Sequence, residues 1–170
     1  LTVSAAGRVF AIGTGSLDAV VPTEVSTGGR KIVLVACGAL HSAVLSDGGE
    51  VLTWGSGADS CLGHGGGADV PVPALLEGLV GVRVTSVACG AKHTLALGDD
   101  GSVYAWGDGE GGRLGLGDTR SRSRPVLIDG PQLEGAEVVA IAAGDSHSIA
   151  ASRDVGGCFT WGVGDYGKLG

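Results

Sequence analysis

The sequence predicts an all-β chain built from repeated four-stranded blades, and three observations carry that reading. One stretch occurs three times: VACGALHSAVLSDGGEVLTWGSGADSCLGHG from Val35 to Gly65, VACGAKHTLALGDDGSVYAWGDGEGGRLGLG from Val87 to Gly117, and IAAGDSHSIAASRDVGGCFTWGVGDYGKLG from Ile141 to Gly170. His41 and His93 lie 52 residues apart, His93 and His147 54, and Trp54 and Trp106 52; a period of this size belongs to an array or a propeller. Within a copy, His93–Leu97 alternates large and small side chains, Asp99-Asp100-Gly101 supplies a turn, and Val103–Trp106 is β-branched and aromatic, the signature of a hairpin. Against helix, no long apolar period of 3.6 residues is present and Gly interrupts nearly every candidate.

Each element of the unit follows from its residues. Val84–Cys89 is an apolar strand ahead of the hairpin. Pro125–Ile128 is a fourth strand after the Gly-rich loop, with Pro expected at its entrance, where a missing N–H is tolerated. Four short antiparallel strands make one propeller blade; the His93 strand is expected on the inside and the Pro125 strand towards the rim. In chain order, residues 1–31 form a degenerate partial blade, 32–83 and 84–138 are full repeats, and 139–170 is a truncated one. In the first, Val9, Ile12 and Gly13 stand at the places of Val51, Trp54 and Gly55, and only 9 residues separate Gly13 from Pro22 where the later copies have 18. Both ends cut through a unit, so the expectation is an incomplete propeller, with the remaining blades in the same parent chain.

Among the 34 Gly, several recur in register: Gly38, Gly90 and Gly144, and Gly55, Gly107 and Gly162. Such positions call for backbone of positive φ or for close approach near a crowded axis. Trp54, Trp106 and Trp161 share one repeat position and are read as blade packing with each indole N–H finding an acceptor. A net charge of −7 argues against a nucleic-acid footprint over the whole surface. No apolar run is long enough to span a bilayer as a helix. Cys37 and Cys89 align with Ala143, which marks a small buried slot, Cys158 aligns with Val51 and Val103, and Cys61 with Arg113 and Lys168. Replaceable partners fit neither a metal nor a disulfide framework, so all four are read as free thiols in a reducing, intracellular setting.

Several motifs imitate active sites. Gly107-x-Gly109-x-x-Gly112 and Gly162-x-Gly164-x-x-Gly167 spell a dinucleotide fingerprint, but the Arg113-Leu-Gly-Leu-Gly that follows the first cannot start the helix which that chemistry needs. GVGDYGK resembles a P-loop with Leu169 where a magnesium-binding hydroxyl belongs. Asp145–Ser148 holds triad residue types in one strand, where neighbours face opposite ways. No cofactor, metal or catalytic group is therefore expected. His41, His93 and His147 are read as hydrogen-bonded within their own blades, with partner contact the rival role and a three-imidazole metal site a more remote one. Arg113, Arg120, Arg122 and Arg124 occupy the stretch GDGEGGRLGLGDTRSRSRP of the 84–138 repeat. The unshared Arg120-Ser-Arg-Ser-Arg124 run is either a solvated loop, a contact for an acidic or phosphate-bearing partner, or a phosphorylation site.

The strings ACGAKHTLAL, VYAWG and DGEGGRLGLG resemble the repeat of the regulator of chromosome condensation family, well over residues 32 to 170 and poorly over 1 to 31. The resemblance implies a seven-bladed propeller, of which about three blades are present here. Family members include a nucleotide exchange factor for the GTPase Ran that also binds chromatin, domains beside ubiquitin-ligase and kinase modules, ciliary proteins and a plant ultraviolet-B receptor. The receptor's Gly-Trp-Arg-His-Thr motif has Ala91-Lys92 in place of Trp-Arg here, which argues against light sensing. Two function classes follow: a non-catalytic scaffold for a protein partner, and nucleotide exchange on a Ran-like small GTPase, where a propeller face and a wedge would displace Mg²⁺ and nucleotide. Chromatin attachment would call for a basic tail to meet phosphates. The implied setting is cytoplasmic or nuclear, with cytoskeletal or ciliary association in some members.

Overall fold

Fourteen short strands, joined by turns and three single-turn 3₁₀ helices, build four antiparallel sheets in a computed structural model that describes residues 1–12, 21–130, 133, 135–154 and 156–170. The first sheet contains β1 (Thr2–Val3), β2 (Val9–Ala11) and β3 (Thr23–Val25). The second contains β4 (Ile32–Cys37), β5 (His41–Ser46), β6 (Val51–Gly55) and β7 (Val70–Leu75). The third contains β8 (Val84–Cys89), β9 (His93–Gly98), β10 (Val103–Gly107) and β11 (Arg122–Leu127), and the fourth β12 (Val138–Ala143), β13 (His147–Ser152) and β14 (Cys158–Gly162). Every sheet is a meander in which sequence neighbours pair. Two full blades thus stand between two three-stranded ones, in an open arc. The shortened loop expected between Gly13 and Pro22 lies mostly outside the described residues.

The alternation in β9 has a simple purpose: both of its faces are covered. Leu95 and Leu97 join Val103, Ala105, Leu114, Ile128, Val138 and Ala150 in the core against the fourth sheet. Ala96 and Trp106 point the other way, into the core with Ala43, Leu45, Val51 and Leu76 of the second sheet. Val9, Ile32, Val44 and Leu52 close the seam between the first two. The hydrophobic effect therefore acts between blades rather than beneath any one of them, as expected when a repeat cannot bury its faces alone.

Two placements differ from expectation. The strand at the axis edge is β8, not β9: β8 packs against its equivalents β4 and β12, and the His93 strand comes second. Pro125 stands inside β11 rather than at its entrance, and Pro71 and Pro73 stand inside β7. Both strands are the outermost of their sheets, and the pairing is interrupted by a bulge between Ala105 and Gly107 and between Thr53 and Gly55, so a missing N–H takes nothing from the ladder there.

The two Gly series have the two causes anticipated. Gly55, Gly107 and Gly162 have φ of 114°, 108° and 111°. Gly38 and Gly90 have no such φ; a Cβ on Gly90 would lie 2.2 Å from His93 Cε1 and 2.6 Å from the Gly144 carbonyl oxygen. Between these glycines runs a chain of backbone bonds around the axis, Ala39 N–H to the Ala91 carbonyl and Ala91 N–H to the Asp145 carbonyl, each 3.2 Å.

Candidate functional site

The repeated polar residues meet in the seams. His41 Nε2 lies 2.9 Å from Thr94 Oγ1 of the next blade, and His93 Nε2 lies 2.8 Å from Ser148 Oγ of the one after. Thr94 gives its hydroxyl hydrogen to the Cys61 carbonyl at 3.0 Å, and Ser148 gives its own to the Arg113 carbonyl at 2.8 Å. A hydroxyl has one hydrogen, so each histidine must be the donor to it, which fixes the Nε2–H tautomer. The same two carbonyls accept the indole N–H groups of Trp106 (2.8 Å) and Trp161 (3.0 Å). One loop carbonyl of the second blade and one of the third thus receive two donors from the blade that follows, filling both lone pairs.

This corrects the reading of the histidines as bonded within their own blades. It also removes His41, His93 and Arg113 from the outer surface. His41 is 3% exposed and His93 0%, and Nδ1 of each is buried with no hydrogen-bond partner. Burial pushes both imidazoles down to about 4, so they are neutral at pH 7. Arg113 has a side chain 7% exposed; it bridges to Asp108 at 3.2 Å and Glu110 at 3.6 Å, and its Nε donates to the Glu110 carbonyl at 2.8 Å. It braces the loop whose carbonyl holds the fourth sheet. His147 occupies the same station in β13, half-buried, its ring against Gly144. Trp106 is fully buried, whereas Trp54 and Trp161 are half-buried.

The cysteine slot is corrected as well. Cys37 is exposed and Cys89 and Ala143 are half-buried, because these positions end the strands that edge the axis. All four cysteines are free thiols, and burial pushes Cys61 up to about 11 and Cys89 to about 12, which makes neither a nucleophile at neutral pH. Among the described residues no group of three or more His, Cys, Asp or Glu could hold a metal ion. Behind the Gly107-x-Gly109-x-x-Gly112 string stands only a three-residue 3₁₀ turn, Glu110–Gly112, interrupted by Gly111 at φ 67°. In the triad-like string, the Ser148 hydroxyl is already committed to Arg113 and His93.

The arginine run lies elsewhere, at the entry to the outermost strand of the third sheet, with Arg120 on the preceding loop and Arg122 and Arg124 within β11. Arg120 is 82% exposed at its side chain and reaches Asp118 at 2.9 Å; Arg122 reaches the same carboxylate at 2.9 Å. The hydrogen bond from Arg122 chiefly holds the Asp118 carboxyl down at about 2. Arg124 is exposed, rests against Gly65 of the preceding blade, and carries no hydrogen bond or ion pair among the described residues. Three guanidinium groups against one carboxylate leave a net positive patch on an acidic chain.

Two contributors were missed in the sequence. Thr94 and Ser148 were visible as the hydroxyl after each repeated His, but their direction across the seam was not. His64, present in one copy only, contacts Thr53 Oγ1 at 2.9 Å and so fixes its own loop.

Comparison with known proteins places this architecture. Two profiles of the Regulator of chromosome condensation (RCC1) repeat match the chain, one at residues 48–97 and 100–151 and the other at 32–61 and 84–113. The chain belongs to the RCC1 repeat family. It is 41% identical over 144 residues to the human E3 ubiquitin-protein ligase HERC2, covering 84% of the chain and 3% of that protein. It is 41% identical over 151 residues to the Arabidopsis thaliana ultraviolet-B receptor UVR8, covering 88% of the chain and 34% of the receptor. Yeast RCC1 (Prp20), solved with Kap60 bound, superposes with a TM-score of 0.78 at 27% identity, covering 96% of the chain and 40% of the yeast protein. The chain therefore spans about a third or less of these two curated relatives. RCC1 repeats form a β-propeller, and no transmembrane-type helix occurs among the described residues.

Proposed function

We propose that this chain is a non-catalytic docking frame, with the units 32–83, 84–138 and 139–170 as its repeats, and that it binds an acidic protein segment through Arg120, Arg122 and Arg124. The carrying observation is a division among its polar residues. Those shared between copies are turned inward and used by the next blade, while of the guanidinium groups found in one copy only those of Arg120 and Arg124 are exposed, Arg122 is half-buried between them, and the three are incompletely neutralised by Asp118. Function located in unshared loops on a repeat frame is the usual economy of such folds. Yeast RCC1 (Prp20), to which Kap60 binds, is a similar protein with a protein partner.

The test is titration of a poly-glutamate peptide against the chain and its Arg120→Ser/Arg122→Ser/Arg124→Ser variant. The native chain is expected to bind with an affinity that falls as salt rises, and the variant to bind more weakly with a flatter salt dependence. Equal affinity of the two at low salt would refute the arginine site. The likeness to yeast RCC1 also supports a second reading, exchange on a Ran-like GTPase. Accelerated release of labelled GDP from such a GTPase would establish it, and unaccelerated release would end it.

A further inference from the structure

Ser121 sits between two of these arginines, and its surroundings are a repeat position with two solutions. In the second sheet, Asp69 Oδ1 accepts the Gly57 N–H at 3.0 Å and the Ser56 hydroxyl at 3.3 Å. In the third, the partners are exchanged: Ser121 Oγ accepts the Gly109 N–H at 3.2 Å and turns its hydroxyl towards Asp108 Oδ1 at 3.4 Å. The loop thus carries its acid at one position in one copy and at the other in the next. The place that Ser121 occupies is one where the same backbone holds an anion fifty-two residues earlier.

We infer that Ser121 is a phosphorylation site, and that its phosphate closes the arginine patch to acidic partners. Ser121 is exposed and precedes β11, and its hydroxyl reaches a kinase by giving up its long contacts to Gly109 (3.2 Å) and Asp108 (3.4 Å); Ser123 lies within β11, is half-buried, and has its carbonyl tied to the Gly65 N–H at 2.7 Å. Arg120 and Arg122 on either side suit the acidic substrate groove of an arginine-directed serine kinase. In the step, Ser121 Oγ bonds to the γ-phosphorus of ATP, the bond from that phosphorus to the bridging oxygen breaks, ADP leaves and the hydroxyl proton is released. The new group carries close to two negative charges and three acceptor oxygens. It competes with Asp118 for Arg120 and Arg122 and repels Asp108, which now bridges to Arg113. A positive patch becomes an internally satisfied one.

The effect on partners rests on the docking reading above, and the experiment keeps the two apart. The chain and its Ser121→Ala and Ser123→Ala variants are incubated with an arginine-directed serine kinase and Mg-ATP, and the products are mapped by tandem mass spectrometry. The expected result is one phosphoryl group on Ser121 in the native chain and in Ser123→Ala, and none in Ser121→Ala. Transfer to Ser123 instead, or no transfer, would overturn the site. The phosphorylated chain is then expected to bind poly-glutamate roughly fivefold or more weakly than the unmodified chain. Unchanged binding after modification would overturn the closure, whereas failure of the unmodified chain to bind poly-glutamate would refute the docking reading and leave the site decided by the mass spectra.

Discussion

The seam between the second and third sheets and the arginine loop of the third are both polar, yet they use polarity in opposite ways. In the seam, His41, Thr94, the Cys61 carbonyl and Trp106 form a buried set in which each side-chain N–H and O–H has an acceptor and His41 Nδ1 is left as an acceptor without a donor. At the entry to β11, Arg120 and Arg122 share one carboxylate and Arg124 has no ion pair among the described residues. Buried polar groups are stabilising only when satisfied, so the seam tolerates few substitutions and repeats itself. Solvent screens the loop, so it is free to differ between copies and to carry specificity.

The largest expected effect comes from emptying the seam. Trp106→Ala should lower stability by roughly 3–5 kcal/mol, the range for removing a fully buried large aromatic, and it also leaves the Cys61 carbonyl short of one donor. Chemical denaturation checks it; a native-like midpoint would show that the indole adds nothing to the seam.

Next is pH. His41 and His93 titrate at about 4 when folded against 6.5 ordinarily. The unfolded chain therefore takes up protons first on acidification. Stability is whole above about pH 6.5 and falls as pH drops towards 4, by up to about 3 kcal/mol for each ring. A His41→Gln/His93→Gln variant keeps an N–H donor without the titration, so its stability should change less over that window. Parallel losses in variant and native chain would assign the acid sensitivity elsewhere.

Smaller again is Gly90→Ala. The added methyl meets the His93 ring and the Gly144 carbonyl, and overpacking of this kind costs about 1–3 kcal/mol. A variant as stable as the native chain would mean that the axis can relax. Smallest is the triple replacement of Arg120, Arg122 and Arg124 by Ser, which should change the melting stability by less than about 0.5 kcal/mol; a larger loss would move the loop into the frame.

The strands were largely legible. Val84–Cys89 and His93–Leu97 emerge almost to the residue because alternation, turn residues and a threefold repeat agree. A period identifies equivalent positions, however, and not which copy provides the partner, so the direction of the His–Thr/Ser bond across the seam was not readable. Cys37 misled because aligning with Ala suggested burial, whereas that slot ends a strand at the axis edge. Pro125 misled because a bulged outermost strand accepts proline within it. The exchange of Ser56 and Asp69 for Asp108 and Ser121 could have been seen as two positions at one spacing trading residue types, since only their joint hydrogen bond is kept.

The contrast between seam and loop is tested most directly by paired double-mutant cycles, one on His41→Ala with Thr94→Val and one on Arg120→Ser with Asp118→Asn, read as unfolding free energies. A coupling of about 1–3 kcal/mol is expected across the buried seam, where removing either partner strands the other, and a clearly smaller one between Asp118 and Arg120, whose side chain is 82% exposed. Equal, near-zero couplings in both cycles would contradict the claim that the shared polar residues hold the blades together.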